Sequence, residues 1–340
     1  MVIDKMRQGG EMDKQTLTVG SFRPEDAEGV ARLFTEVYGD DYPAKIVYHP
    51  DDLIRAVETR DQIPIVVRTP DNRVVGYSSL FRAAPDKRVY EKGNGAVAMD
   101  FRNAGVMGMI FGYVGEMLPH LTDVSVFFGE PVCNHVYIQK AALASLPFVE
   151  TAIEIDLMPA EAYEKERSAS GRVSTLLMFI TVARNPHMVY MPEQYGYYLR
   201  YIYSGLDDTR SFSPSACGFP PSAPTRIDTE VFDAAHVARM TVHEAGQDFE
   251  AAIAAEEGRA LGRSAQIIQV FLKLSWPWIT QAVAVLKDNG YFFGGILPQW
   301  FGSDGLLMQK VSGRPNWAGI HLFSERANAL LEFIKADWKR

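Results

Sequence analysis

The stretch Gly95-Ala-Val-Ala-Met-Asp-Phe-Arg-Asn-Ala-Gly-Val-Met-Gly108 limits the folds open to this chain more than any other segment. An alternating apolar run through Val97, Met99 and Phe101 enters Arg102-Asn-Ala-Gly105, and an uncharged helical run to Met117 follows. A strand that stops in a small-residue turn and restarts as a helix presents unpaired N–H groups at the helix's positive end. That arrangement seats a phosphate or pyrophosphate. Arg102 supplies charge-assisted hydrogen bonds, and Gly105, lacking Cβ, lets backbone and anion approach closely. The competing reading is a buried strand-turn-helix with glycine kept for packing alone.

At 340 residues the chain exceeds one ordinary core, so two domains are expected. Its formal net charge of −8 argues against nucleic-acid binding. The two cysteines, Cys133 and Cys217, make neither a disulfide framework nor a metal cluster. No metal is expected, and a reducing compartment is. Met1 to Lys14 has no apolar leader, and the run Ala104 to Gly115 is too short for a bilayer. The expectation is a cytoplasmic protein without membrane or nucleic-acid partners; a homodimer stays open.

Thr16 to Phe22 reads as a strand, and Arg23-Pro24-Glu25-Asp26 opens a helix with Val30, Leu33, Phe34 and Val37 on one face. Asp51 to Arg60 reads as a second helix. Ile63 to Arg68 and Arg73 to Phe81 form a hairpin around Pro70-Asp71-Asn72. After the anion turn come a strand (Leu121 to Phe128), a helix (Pro131 to Leu146), a strand (Thr151 to Met158), a charged loop (Glu161 to Arg172) and a strand (Val173 to Val182). Tyr190 to Leu206 reads as a tyrosine-rich helix, and Asp207 to Arg226 as a proline-rich linker. A strand pair (Arg226 to Val242), helix (Gln247 to Leu261), strand (Ala265 to Leu274), helix (Pro277 to Lys287) and two strands (Tyr291 to Pro298, Gly305 to Val311) complete the pattern.

With Arg23-Pro-x-Asp26 after the first strand and Arg102-x-x-Gly105 at the later strand-helix turn, residues 16 to 182 resemble the GNAT superfamily of N-acetyltransferases. Tyr38-Gly39-x-x-Tyr42, Gly129-Glu-Pro-Val-Cys-Asn-His135, Gln139-Lys140 and Leu146-Pro-Phe148 match a branch with a long C-terminal extension. Met107 and Pro147 depart from the superfamily's usual glycines. The strand-helix-strand-strand order returns after residue 226, so the extension is read as a cut-down second copy. The implied fold is α/β (α+β): a mixed, mostly antiparallel central sheet flanked by helices, GNAT-like, with a second, smaller GNAT-like lobe. The expected division is 1–15 flexible, 16–185 acyl-CoA domain, 186–225 helix and linker, and 226–340 degenerate lobe.

The resemblance implies transfer of an acetyl group from acetyl-CoA, or another acyl-CoA, to a small-molecule amine by direct attack. Amides of Arg102, Asn103, Ala104, Gly105, Val106 and Met107 would hold the pyrophosphate. Extended backbone at Val97 and Met99 would pair with the pantetheine, and Asn134 and Gln139 would bond it. The superfamily's thiolate-side tyrosine falls on Leu143. On a helix from Pro131, His135 and Gln139 share the face of Leu143, and Tyr137 does not. His135 is thus the candidate for proton transfer or thiolate stabilisation, with capping or packing as the alternative. Glu130 is the candidate base and Asp100 a further one. Tyr38 and Tyr42 belong to the loop that roofs the acceptor. A non-catalytic acyl-CoA or small-ligand-binding regulatory module is the alternative function. A weaker third is a tandem-lobe transferase whose acceptor is a peptide held between the lobes, in a groove lined by Tyr195, Tyr197 and Tyr198.

Overall fold

The computed structural model describes residues 17–40, 42–160, 171–206, 209–215, 218–220 and 224–339. The N-terminal segment expected to be flexible, most of the charged loop and Cys217 lie outside the described residues. Contacts divide the chain into two compact units: residues up to Phe81 with Gly93–Met117, and Arg82–Lys92 with the residues from Leu118 on.

In the first unit β1 (Thr18–Ser21) leads to α1 (Ala27–Tyr38), α2 (Pro50–Glu58), β2 (Gln62–Arg68) and β3 (Val74–Arg82). Strand β1 pairs antiparallel with β2, and β2 with β3. The last part of β4 (Val89–Val97) runs beside β3: Ser78 Oγ donates to the Gly93 carbonyl at 3.0 Å, and the Ala98 amide to Val75. Helix α1 buries Val30, Leu33 and Phe34, three of the four positions its periodicity predicts. Arg68 and Asp26 form a buried ion pair beneath the helix start, and Arg68 Nη2 also bonds the Ser21 carbonyl. Helix α3 (Val106–Met117) ends the unit and packs Val106 against the bare Cα of Gly76.

In the second unit β5 (Val126–Gly129), α4 (Tyr137–Ser145), β6 (Val149–Met158) and β7 (Val173–Thr181) lead to β8 (His187–Met191), α5 (Gly196–Tyr203) and β9 (Arg210–Pro214). They are followed by β10 (Arg226–Phe232), β11 (Val237–Glu244), α6 (Phe249–Gly262), β12 (Ile267–Lys273), α7 (Ile279–Asp288), β13 (Phe292–Leu297), β14 (Gly305–Val311) and α8 (Glu325–Trp338). The sheet order is β4-β5-β7-β6-β13-β14-β12-β11-β10, with the first part of β4 at one edge. Only β4/β5 and β11/β12 are parallel within it. The mixed, mostly antiparallel sheet is as expected.

The two halves of this sheet repeat one pattern. Parallel β4/β5, antiparallel β5/β7 and antiparallel β6/β7 are matched by β11/β12, β12/β14 and β13/β14. Both β6 and β13 carry a register shift, before Ala152 and before Gly295. Laying one shift on the other matches Phe179 with Gln309, Phe128 with Gln269 and Glu91 with Arg239. Strands β6 and β13 pair antiparallel at Gly295↔Ala152, so each residue faces its own counterpart, as on a two-fold axis. Gly295 sits at φ +131, and a Cβ there would lie 2.3 Å from the Thr151 carbonyl oxygen. Only glycine fits this crossing.

Several elements differ from the sequence reading. Residues 187–191 are the strand β8, paired parallel with β9, which lies inside the expected linker. The tyrosine-rich helix is therefore only α5. Residues 121–125 precede β5 rather than belong to it, and Pro131 to Val136 precede α4. Among the described residues no helix is long and apolar enough to cross a membrane, and no cluster has the makings of a metal site.

Candidate active site

The turn expected to hold an anion lies in the first unit. After Val97 the chain makes a 3-10 turn, Met99–Phe101, so Met99 is not extended and is 56% exposed, contrary to expectation. Asn103 and Gly105 take left-handed φ values of 70° and 79°. The Arg102 and Ala104 amides donate to the Met99 and Phe101 carbonyls, which removes them from the predicted donors. Among the described residues the amides of Asn103, Gly105, Val106, Met107 and Gly108 donate to no backbone carbonyl. A Cβ at Gly105 or Gly108 would meet nothing within 4 Å, and the first turn of α3 carries no acid. Met107 lies along the helix, half-buried, while Arg102 to Gly105 are exposed. The chemistry fits an anionic diphosphate: unpaired donors, a helix N-terminus and an adjacent guanidinium.

Tyr38 and Tyr42 meet in the same unit. Their rings lie 4.8 Å apart, and Tyr38 Oη donates to the Gly95 carbonyl at 2.8 Å. Tyr42 Oη reaches Asn94 Oδ1 at 3.4 Å. Both hydroxyls bond the last part of β4, where Asn94 has a φ of 51°. Asp100 is exposed and pairs with Arg73 at 2.6 Å, which gives it a structural partner.

The second unit holds an acid cluster that sequence reading found only in part. The parallel β4/β5 register is three pairs long and ends at Glu91↔Phe128. Glu154, on β6, accepts from Gln269 Nε2 at 2.7 Å, Arg239 Nη2 at 3.1 Å and Thr175 Oγ1 at 2.7 Å. Arg239 Nε donates to Gln269 Oε1 at 2.8 Å. Glu91 and Glu130 add two half-buried carboxyls. Burial pushes Glu91 up to about 7, with Glu154 adding to the rise and Arg239 opposing it. Burial, then Glu154 and Glu91, push Glu130 well above the ordinary range. Burial lowers the neighbouring Lys92 to about 8. At neutral pH the group holds protons that an arriving cation would displace.

Residues 131–136 run against β7 rather than in a helix. The Cys133 amide donates to the Ser174 carbonyl and the Leu176 amide to Pro131, while Val132 bridges Thr175. Proline and these ladder bonds override the apolar periodicity, so the shared helical face of His135 and Gln139 does not exist. Gln139 is 1% exposed, and its amide is fully used within the unit. It donates to the carbonyls of Val132, His135 and His321 and accepts from the Phe323 amide. It is a clamp, which corrects its expected cofactor role. His135 Nδ1 is buried and bonds no described residue, and the ring lies 5.2 Å from the Tyr137 ring. Asn134 stands beside it in the same loop. Cys133 is fully buried, and burial pushes its thiol up, so it is a packing residue. Tyr195 and Tyr198 are core residues packed against Phe293 with tilted rings, which leaves Tyr197 alone exposed of the three residues of the expected groove.

Sequence reasoning missed Glu91, Glu154 and Arg239. A signal was present for Glu154, a carboxylate inside the apolar run Ala152-Ile-Glu-Ile-Asp-Leu157. A central strand tolerates a charge only where partners meet it.

No protein-family model matches the chain, and no curated protein sequence does. Among solved structures, the spermidine/spermine N-acetyltransferase SpeG of Vibrio cholerae matches at 12% identity and a TM-score of 0.38, over 50% of this chain and 94% of that one. The ribosomal-protein-S5-alanine acetyltransferase of Vibrio fischeri matches at 12% identity and 0.37, over 48% and 92%. The ribosomal-protein-S18-alanine N-acetyltransferase of Escherichia coli matches at 14% and 0.37, over 52% and 100%. Over about half its length the chain is thus similar to N-acetyltransferases of known structure.

Proposed function

We propose that this protein is an acyl-CoA-dependent N-acyltransferase acting on an amine, with residues 16–185 as the acyl-CoA domain and 226–340 as a second, degenerate copy. The observation that carries the reading is the short parallel β4/β5 register, which ends at a carboxyl group raised to about 7. The open amides at Asn103 and Gly105–Gly108 support it independently. An acyl-CoA supplies the thioester; its diphosphate would lie against those amides and Arg102, and its pantetheine against Val97. Asn134 is proposed as a further pantetheine contact.

The amine arrives as an ammonium and must lose a proton before its nitrogen attacks. A base near neutrality is suited to that task, and Glu91 meets the requirement. Glu130, raised further, holds the proton for the departing sulfur, so the two carboxyls divide base and acid roles between them. As the C–N bond forms and the C–S bond breaks, Glu130 gives its proton to the thiolate and takes the second proton from nitrogen, while the first passes from Glu91 to solvent. His135 is the second candidate donor to sulfur. Tyr38 and Tyr42 are proposed to contact the acceptor.

The test couples binding to turnover. Acetyl-CoA should raise the melting temperature, and an amine panel should release free CoA thiol. Gly105→Asp should abolish the shift, whereas Glu91→Gln should keep the shift and lose turnover. No shift with any acyl-CoA would overturn the reading. A shift without thiol release from any amine would favour the regulatory module instead, a reading supported by the absence of a tyrosine at Leu143.

A further inference from the structure

Strand β1 is an edge strand, and a cavity of about 500 Å³ runs along it. The Phe22 amide donates to the Pro64 carbonyl at 3.2 Å, so Phe22, Gly20 and Thr18 turn their backbone groups toward β2. The alternate residues, Val19 and Ser21, turn theirs outward. At Ser21 the edge is closed. Its amide donates to Tyr113 Oη at 3.1 Å, and its carbonyl accepts from Arg68 Nη2 at 2.9 Å. At Val19 the edge is open, because neither its amide nor its carbonyl bonds a described residue. A strand laid along β1 can therefore pair with Val19 and can run no further than Ser21.

The place where such a strand must stop is rich in donors. Arg68 is 4% exposed, and its Nε and Nη2 are held by Asp26 and the Ser21 carbonyl. Its Nη1 donates to no described residue and lies over Gly20, 3.7 Å from where a Cβ would stand. A guanidinium N–H can only donate, so this group calls for an acceptor. Arg23 also borders the cavity, is exposed, and ion-pairs with no described residue. Among the described residues that line the cavity there is no carboxylate. Asp26 already balances the charge of Arg68. The wall thus offers one unspent positive charge, from Arg23, and one directed N–H group, from Arg68. A carboxylate, with one charge and two oxygens, matches both, whereas a phosphate dianion exceeds them. A carboxylate is also what an extended chain presents where it ends.

We propose that the open edge of β1 binds the free C-terminus of an extended polypeptide, which pairs with Val19 and seats its carboxylate between Arg68 Nη1 and Arg23. The guanidinium groups lie toward the C-terminal end of β1, so the guest strand runs parallel to it. Backbone pairing supplies affinity, and the two arginines supply the demand for a chain end. An internal segment would run on into Tyr113 and is excluded. This binding site is independent of acyl transfer: it uses neither the amides of α3 nor Glu91.

The test is fluorescence anisotropy on the full chain. The probes are pentapeptides of alternating threonine and valine, labelled at the amino end, with each amino acid in turn at the last position. Each free acid is compared with its C-terminal amide. At least one acid should bind about tenfold more tightly than its amide, as expected for a charge-assisted pair. Arg23→Gln changes an exposed side chain and should bring that ratio down to about threefold. Val19→Pro removes the outward amide and leaves the β1/β2 ladder whole; it should weaken acid and amide alike, by about fivefold. Equal binding of acid and amide throughout the set, a ratio unmoved by Arg23→Gln, or no binding at millimolar peptide would each overturn the proposal. Affinity unmoved by Val19→Pro would overturn it as well, since no strand would then be pairing. So would N-acetyl amino acids that bind as tightly as the pentapeptides, which would mark a small-carboxylate site instead.

Discussion

The two strand sets of the second unit share backbone and differ in what they do with charge. In the first, the last parallel pair is Glu91↔Phe128; at the matching place in the second stands Arg239↔Gln269. Phe179 corresponds in the same way to Gln309, whose side chain bonds the Ile155 amide and the Ile153 carbonyl. The second set thus uses its polar groups to hold the first, while the first keeps two carboxyls without hydrogen-bonded cations. One half is braced and the other is poised. Functional sites are where such unresolved charge is tolerated. The helix starts differ as well. That of α3 is open and free of acids, whereas that of α6 carries Asp248 and Glu250, with Asp248 already accepting the Thr225 amide at 2.8 Å. An anion is welcome at the first and repelled at the second.

The strongest way to break the comparison is to remove the brace. Arg239→Met strips Glu154 of its cation in a buried site and should cost about 3–5 kcal/mol in urea unfolding. Adding Glu154→Leu, the residue type at the matching position Leu297, should recover most of the loss. A single variant as stable as wild type would mean the pair braces nothing. Gly295→Ala attacks the crossing itself and should cost roughly 3 kcal/mol, because φ +131 and the Thr151 carbonyl both oppose a methyl group.

On the poised side, Glu91→Gln should lower turnover about 100-fold and remove the rise in rate through pH 7. The same variant sharpens the stability comparison. The folded value of Glu91 lies above its ordinary 4.5, so its contribution is present below that pH and lost as pH rises through about 7. Wild-type stability should therefore fall across that window relative to Glu91→Gln, measured as urea midpoints at a series of pH values. The smallest effect belongs to Gly108→Ala. With nothing within 4 Å and helical backbone, it should stabilise by about 0.5–1 kcal/mol, and it should leave the acetyl-CoA shift in place.

Much of this architecture is legible in the sequence because strands and helices announce their buried faces locally. The hairpin at Asp71-Asn72, the amphipathic α1 and the turn that leads into α3 all follow from short-range chemistry. What is not legible depends on partners far along the chain. Residues 131–136 carry helix-like spacing, yet β7, some forty residues on, captures their backbone. Strand β8 hides inside a tyrosine-rich run because β9 lies within a segment whose prolines read as linker. Helix α8, capped by the Ser324 hydroxyl on the Ala327 amide, lies beyond the last strand that the sequence pattern defines. At the candidate site, Glu130 was visible from its place where strand meets loop. Glu91, Glu154 and Arg239 gain meaning only once strands from both halves converge.

The pairing of Gly295 with Ala152 has one more implication. Two identical chains meeting about such an axis would be obliged to carry the same side chain at both symmetry-related places, acid facing acid or base facing base. With both halves written into one polypeptide that obligation disappears, and a glutamate on one side can be answered by an arginine on the other. Covalent continuity is what lets this crossing be chemically lopsided while staying geometrically even.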